Sequence, residues 1–386
     1  MKKSFVQLIL EEYGTPENAL TALAADAMKN PVDARLNMQV LLNTLGREEE
    51  SFAISNELVR IAPQDPRVLF NHGWHWLKRG QLQKGLALLE FGRGLNTYGH
   101  PRLNSSRDLW MPHTGKNQTV IMNLEGGFGD EIIHVRFARN FVEKFNCKVI
   151  VVTQPSLAPI FNRMPWVSAV AQREAAMGIY HDSWVPGMSA AFALGLEFKD
   201  ISSEPYLTAS DEYRKVWKQK ITAYSGRKLK VGIRWAGNPE FEHQQYRLFP
   251  SDILTGLRKY SDVQFFSFQR DNNLIDLPEE IIDLSPDLKT WDDTAAALME
   301  MDLVISSCTS VAHMSAALGI PTWVIVPALP YFIWAHHPEN DPSSSPWYKS
   351  VRLFRQGVFG RWDDIRESIN QALQTWLKIA KVGAGI

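Results

Sequence analysis

The sequence predicts an α/β protein: two doubly wound halves facing a cleft, preceded by an all-helical segment. Three observations carry this. Small residues recur every 34 positions in the first hundred residues. From Thr119 onward, short β-branched runs alternate with helical runs. A second such series starts at Leu229, after the break Ser225-Gly226-Arg227-Lys228. Strand–helix alternation at this pitch means parallel sheets covered by helices. The expected division is 1–100 for the helical segment, 101–223 for the first half, 224–360 for the second, and 361–386 for a terminal helix.

Composition bounds the rest. At ~100–200 residues per domain, 386 residues make two or three domains. An apolar fraction of 45% with 22% charged residues excludes a disordered tail protein and a fibre. Lys and Arg number 41 against 42 Asp and Glu, a net charge of −1. No global positive field exists for DNA or an anionic membrane, although a local basic groove stays open. The two cysteines, Cys147 and Cys308, exclude a disulfide scaffold and a Cys-rich zinc site, and no metal is expected. A reducing cytoplasm is the simplest home. The stretch Phe5–Leu10 is interrupted by Gln7 and followed by Glu11-Glu12, too short for a signal sequence. No window approaches the ~20 apolar residues of a membrane helix, so no membrane insertion is expected. The 13 tryptophans suit sugar or nucleotide sites and buried cores alike.

In the first hundred residues, Gly46 and Gly80 are one interval apart, and Ala19, Ala53 and Ala87 share it. Polar turns at Arg47–Glu50 and Gln81–Lys84 lead into helices at Phe52–Ile61 and Leu86–Leu95. Pro63 and Pro66 break the chain between them. A small residue at each interval lets paired helices approach closely. The pattern resembles tetratricopeptide repeats, two copies plus a degenerate leading half-copy. Such an array serves as a docking surface for a partner or acceptor, or as a cap that stabilises the next domain.

The first half opens with a strand at Thr119–Leu124, a glycine turn, a helix at Glu131–Phe145 and a strand at Lys148–Thr153. Between Glu174 and Pro205 the pattern thins and no element is assigned. A helix near Asp211–Ala223 leads to the second half. There, strands fall at Leu229–Trp235, Val263–Phe268, Leu303–Ser306 and Thr322–Val326. Helices fall at Thr294–Glu300 and Thr309–Leu318, the latter closed by Gly319 with Pro321 beyond. Arg361–Val382 is the terminal helix. Ligands of such folds bind at the carboxyl ends of the strands.

Four loops lie at those ends. The first is Glu125-Gly126-Gly127-Phe128-Gly129-Asp130. Gly127 and Gly129 allow a close backbone approach to a ligand. Asp130, at a helix start, is favoured by the dipole and could take a proton from an acceptor hydroxyl. By spacing alone it reads first as a helix cap. The second is Ser306-Ser307-Cys308-Thr309-Ser310-Val311-Ala312-His313, a helix start suited to a diphosphate. Thr309 and Ser310 add hydroxyl donors or simply cap. His313, one turn on, could bond a phosphate or ribose oxygen, or pack in the core. The third is Arg234-Trp235-Ala236-Gly237-Asn238-Pro239, with Arg247 beyond, where a cation could neutralise a leaving diphosphate. The fourth is Phe268-Gln269-Arg270, where a base would sit, unless Arg270 is a solvated loop charge.

Taken in order, Gly-Phe-Gly-Asp-Glu-Ile, Gly-Ile-Arg-Trp-Ala-Gly-Asn-Pro, Phe-Ser-Phe-Gln-Arg, Asp-Thr-Ala-Ala-Ala-Leu, Asp-Leu-Val-Ile-Ser-Ser-Cys-Thr-Ser-Val-Ala-His and Ser-Pro-Trp-Tyr-Lys-Ser-Val-Arg-Leu-Phe-Arg-Gln resemble the tetratricopeptide-linked glycosyltransferases related to the heptosyltransferases (GT-B, family 9), with O-GlcNAc transferase more distant. The resemblance spans about 119–356 plus the repeats. It implies a GT-B fold of two Rossmann-like domains, with a nucleotide-sugar donor held mainly by the second. It also implies no essential metal or other cofactor, and a terminal helix that crosses back. It implies that Asp130 is the base, that Arg247 lies near the donor phosphates, and that Thr309, Ser310 and His313 form the phosphate-binding helix start. Gln269 would contact the nucleotide. Two positions depart from the family: Cys308 stands where an aspartate is usual, and Ile333-Trp334 where an arginine precedes the tryptophan. Cys308 reads as a small buried residue more readily than as a reactive thiol.

The reading that follows is an inverting, metal-independent glycosyltransferase using a UDP-linked donor, with ADP and GDP as alternatives. Its acceptor is a protein, a saccharide, or a hydroxymethylated base in phage-type DNA. The DNA option needs a basic strip, for which Arg136, Arg139, Lys144 and Arg163 are candidates; on a helix they read as a solvated face. The alternative is a non-catalytic adaptor that binds partners. A dinucleotide oxidoreductase is disfavoured by the missing third glycine of GxGxxG.

Overall fold

The structure, a computed structural model, describes residues 5–95, 97, 103–113, 115–238, 247–250, 253, 256–270, 277–335 and 341–384. The first 95 residues are all-helical: α1 (Phe5–Tyr13), α2 (Pro16–Asp26), α3 (Pro31–Thr44), α4 (Glu48–Ile61), α5 (Pro66–Lys78) and α6 (Leu82–Leu89), then a 3-10 turn at Glu90–Leu95. Prolines open α2, α3 and α5, where a missing N–H costs nothing. The 34-residue interval is a repeated helix stop. Gly46 (φ +81°) and Gly80 (φ +76°) take the left-handed conformation. The next residue closes each helix: Arg47 N–H donates to Leu42 O and Gln81 N–H to Trp76 O, both at 2.9 Å.

Of the three alanines, Ala19 is fully buried between helices as expected, but the other two do not carry such contacts. Ala53 is exposed and Ala87 half-buried. Close approach occurs instead at Gly73 and Gly85, where a Cβ on Gly73 would lie 2.8 Å from Gly85 O. The expected Leu86–Leu95 helix starts earlier and tightens to 3-10 across Gly92 and Gly94, two poor helix formers.

Two all-parallel sheets follow among the described residues. The first has the order β3 (Ala169–Ala171), β2 (Lys148–Val152), β1 (Thr119–Asn123), β4 (Ser183–Pro186). The second runs β10 (Val351–Arg355), β9 (Thr322–Val326), β8 (Leu303–Ser307), β5 (Leu229–Arg234), β6 (Val263–Ser267), β7 (Ile281–Asp283). β-branched residues dominate the strands, which are buried on both faces as parallel sheets require. One cluster of buried side chains joins Val120, Met122 and Val149 of the first sheet to Phe266, Val304 and Val324 of the second. The halves therefore share a core.

The expected helix Glu131–Phe145 is three pieces: α7 (Phe128–His134), a 3-10 turn at Val135–Phe137, and α8 (Ala138–Phe145). Within the tightened turn, Arg136 Nε donates to Ile133 O at 2.9 Å. The terminal helix, Asp363–Ala384, does not cross back. Its apolar stripe of Ile365, Ile369, Ala372, Leu373 and Leu377 packs with Val231, Ile233, Ile305 and Ile325 of the second sheet. The helix that changes halves is Asp211–Ser225. It leaves the first half yet lies on the Trp291–Leu298 helix, with Trp217 Nε1 donating to Asp293 Oδ1 at 3.1 Å. Among the described residues, no helix is long and apolar enough to cross a membrane.

Candidate active site

Strand order locates two crevices. In the first sheet the chain steps from β1 to β2 to β3, then returns to the far side of β1 as β4. In the second it runs β5, β6, β7, then returns to the far side of β5 as β8. Loops diverge at such switch points and leave room for a ligand. The glycine turn 125–130 follows β1, and 308–310 follows β8. The two meet: a Cβ on Gly129 would lie 3.2 Å from His313 Cδ2 and 3.7 Å from the Ser310 Cα. A glycine lets the first turn of α7 sit this close to the Ser310–Ala317 helix, since a Cβ would already press on the His313 ring.

Asp130 is the third residue of α7 rather than its cap. Its Oδ2 accepts from the Gly127 N–H at 2.9 Å, and its Oδ1 accepts from the Tyr331 hydroxyl at 2.8 Å. Gly126 (φ +78°) permits the fold-back, since a Cβ there would lie 2.5 Å from Oδ2. Burial, then the charge of Asp130 and the bond to it, hold the Tyr331 hydroxyl well above its usual range, so it remains a donor. Behind them, His134 Nδ1 lies 2.7 Å from the Asp130 carbonyl, and burial takes its imidazole down to about 4.

Thr309 is the N-cap of the Ser310–Ala317 helix and is buried, its Oγ1 3.3 Å from Ser306 Oγ; Ser310 is half-buried. His313 is a core residue. Its ring stacks on Trp334 (centroids 4.6 Å, 17° between planes), and Nδ1 lies 3.2 Å from the Tyr348 hydroxyl. Burial, then the charges of Arg136 and Arg247, push its imidazole far below the usual value, so it is neutral. Cys308 is buried beside it. Burial raises its thiol, opposed by Arg247 and the Trp334 indole. Arg247 is half-buried, and its positive charge pulls the Cys308 thiol and the Tyr331 hydroxyl down and adds to the lowering of the His313 imidazole.

The remaining sequence candidates separate. Arg234 is buried and donates to Phe268 O at 2.8 Å. Trp235 packs inside the second core with Phe249 and Ile253. Gln269 is buried, its Oε1 accepting from the Ala236 N–H at 3.0 Å, so it ties two loops together. Asn238 and Arg270 are exposed at the loop ends. Pro239 lies outside the described residues.

The basic strip is corrected. Arg136 is not on a solvated face but almost wholly buried. It donates to Trp347 O (2.7 Å), Tyr206 OH (3.0 Å) and Ser202 O (3.4 Å), with its guanidinium over the Tyr206 and Tyr348 rings. Arg163 pairs with Asp292 across the halves, and Arg139 pairs with Glu143. A helical run of cations looks solvated until the 3-10 turn rotates one of them inward. Tyr331 was not singled out, because it lies 201 residues from its partner and belongs to no motif.

No family model matches the chain. A curated relative, the protein FlbA of Caulobacter vibrioides, is 22% identical over 439 residues, covering 95% of this chain and 71% of that one. Among solved structures, the chain is similar to the ADP-heptose lps heptosyltransferase II of E. coli (12% identity, TM-score 0.46, 67% of this chain and 99% of that one). It is similar to a family 9 glycosyl transferase of Veillonella parvula (11%, TM-score 0.48, 62% and 86%) and to an O-GlcNAc transferase of Thermobaculum terrenum (11%, TM-score 0.28, 86% and 84%).

Proposed function

We propose that the chain is a glycosyltransferase moving a sugar from a nucleoside-diphosphate sugar, UDP-linked, to an acceptor hydroxyl. One observation supports this: Gly129 packs against Ser310 and His313, so the loop after β1 that carries Asp130 meets the helix start after β8. In the reaction, Asp130 takes the acceptor's proton while the acceptor oxygen bonds to the anomeric carbon. The bond from that carbon to the diphosphate oxygen breaks, and its electrons leave with the diphosphate. Arg247 and the free N–H groups of the Ser310–Ala317 helix offset the departing charge. A single displacement inverts the anomeric centre and draws on no metal.

For the acceptor we favour a protein or a saccharide over DNA, because Arg136 and Arg163 are tied into the joint between the halves, which leaves only the partly exposed Arg139 and the exposed Lys144 of the four strip candidates. We read α1–α6 as a tetratricopeptide-like array and place the reaction in the cytoplasm, where the two buried cysteines remain thiols.

A specific observation favours a second reading, a partner-binding adaptor. Both oxygens of Asp130 already accept hydrogen bonds, and Cys308, His313 and Trp334 are buried in place. Calorimetry with UDP, ADP and GDP, with mass spectrometry of products from mixed nucleotide sugars and cell extract, separates the two. Nucleotide binding retained and transfer lost in Asp130→Asn supports the enzyme. Absence of binding by any of the three nucleotides supports the adaptor.

A further inference from the structure

The helical segment reaches the crevice at two points. Trp74 of α5 packs on Tyr331 (centroids 5.5 Å) and on Phe332 (5.5 Å). Tyr331 is the residue whose hydroxyl holds Asp130 Oδ1. Beyond α5, Arg93 in the 3-10 turn donates from Nη1 to Glu125 Oε1 at 2.8 Å and from Nη2 to Oε2 at 3.3 Å. Glu125 is 2% exposed and opens the glycine turn whose Gly127 N–H binds Asp130 Oδ2. Arg93 also donates to Ser189 Oγ, and Met188 N–H donates to Glu125 Oε2 at 3.4 Å. The guanidinium therefore clasps the chain after β1 and the chain after β4, the two sides of the first switch point. One oxygen of Asp130 is thus held by Tyr331, which the helical segment touches, and the other by Gly127, two residues beyond the Glu125 that Arg93 holds.

We propose that Trp74 and Arg93 are positioning residues for Asp130, which makes the helical segment a built-in wall of the active site. Trp74 seats Tyr331 against one carboxylate oxygen. Arg93 fixes the turn that offers its N–H to the other. The two contacts are independent, since they lie on different elements and reach different oxygens. The inference rests on the reading of Asp130 as the base.

A hydrogen bond to a carboxylate favours its charged form, so losing one makes the group easier to protonate. The test uses the full chain labelled with carboxyl-13C aspartate, the Asp130 signal being assigned by its loss in Asp130→Asn. In Tyr331→Phe and Trp74→Leu the titration of that signal moves to higher pH. In a transfer assay, kcat falls about tenfold, donor KM stays within about twofold, and the acid limb of the rate profile moves the same way. Arg93→Met behaves likewise. Trp74→Phe keeps a ring against Tyr331 and restores the wild-type profile, and the exposed Arg67→Ala has no effect. Tyr331→Phe removes a single oxygen, so it reads the contact without threatening the fold. An unmoved Asp130 titration in both Tyr331→Phe and Trp74→Leu overturns the proposal. Wild-type turnover in Asp130→Asn sinks the base assignment instead, and the titration separates the two failures.

Discussion

Arg136 joins the halves, and its removal has a size that can be worked out. Three of its hydrogen bonds are short: Trp347 O at 2.7 Å, Ile133 O at 2.9 Å and Tyr206 OH at 3.0 Å. Bonds from a charged donor contribute ~1.5–3 kcal/mol each, about 4–9 kcal/mol together. Burying the cation costs several kcal/mol in return. Burial works against its charge, and Tyr206 and Tyr348 outweigh it, so the guanidinium stays protonated. Arg136→Met removes both the bonds and that cost, but leaves two carbonyls and a hydroxyl facing an apolar chain. Buried acceptors without donors cost ~1–3 kcal/mol each, so three of them give a loss of about 3–9 kcal/mol. Arg136→Lys does not recover it, because one ammonium cannot span acceptors that the fork reaches separately. Urea unfolding followed by circular dichroism measures the loss, with hydrogen exchange localising it to residues 133–137 and 345–348. A change under about 1 kcal/mol for Arg136→Met, or full recovery by lysine, refutes the reasoning.

Gly129→Ala should lose about 1–3 kcal/mol, because His313 is stacked on Trp334 and cannot give way; unchanged thermal stability would contradict this. Gly126→Ala combines a positive φ with a clash on Asp130 Oδ2, so transfer should fall at least tenfold, measured as kcat, while nucleotide affinity holds. The helical segment should weaken in acid. Burial takes His72 from 6.5 to about 4, helped by the charges of His75, Lys84 and Arg79. A depressed histidine stabilises above its unfolded pKa, so about 2–3 kcal/mol is present above pH 6.5 and lost on falling to pH 4. For Glu48, burial opposes the charge but His75 and Lys78 outweigh it, taking the carboxyl from 4.5 to about 2. Its contribution is present above pH 4.5 and fades below. Flat stability between pH 6.5 and 4 in urea titrations would overturn the histidine assignment.

Runs such as Lys148–Val152 and Thr322–Val326 were legible because buried parallel strands have no polar face to disguise them. Ala169–Ala171 and Ile281–Asp283 were not, being three-residue edge strands with too little sequence to show a period. Ser183–Pro186 ends in a proline and lies where the pattern thins. Within the crevice, the glycine turn and the helix start at Ser310 were visible as small residues at strand ends. The hold of Tyr331 on Asp130, and of Arg93 on Glu125, was not. Each pairs residues from separate elements, and nothing local marks Tyr331 or Arg93 as different from a surface side chain.

The Asp211–Ser225 helix has a bearing on how the protein can be cut. A fragment begun at Leu229 would carry the whole second sheet but leave the Trp291–Leu298 helix bare where Trp217 and Ile221 had covered it. It would also lose the Tyr206 and Leu207 N–H groups that donate to Ala317 O. Any excised second half that is to remain monodisperse must therefore begin near residue 203, well upstream of its first strand.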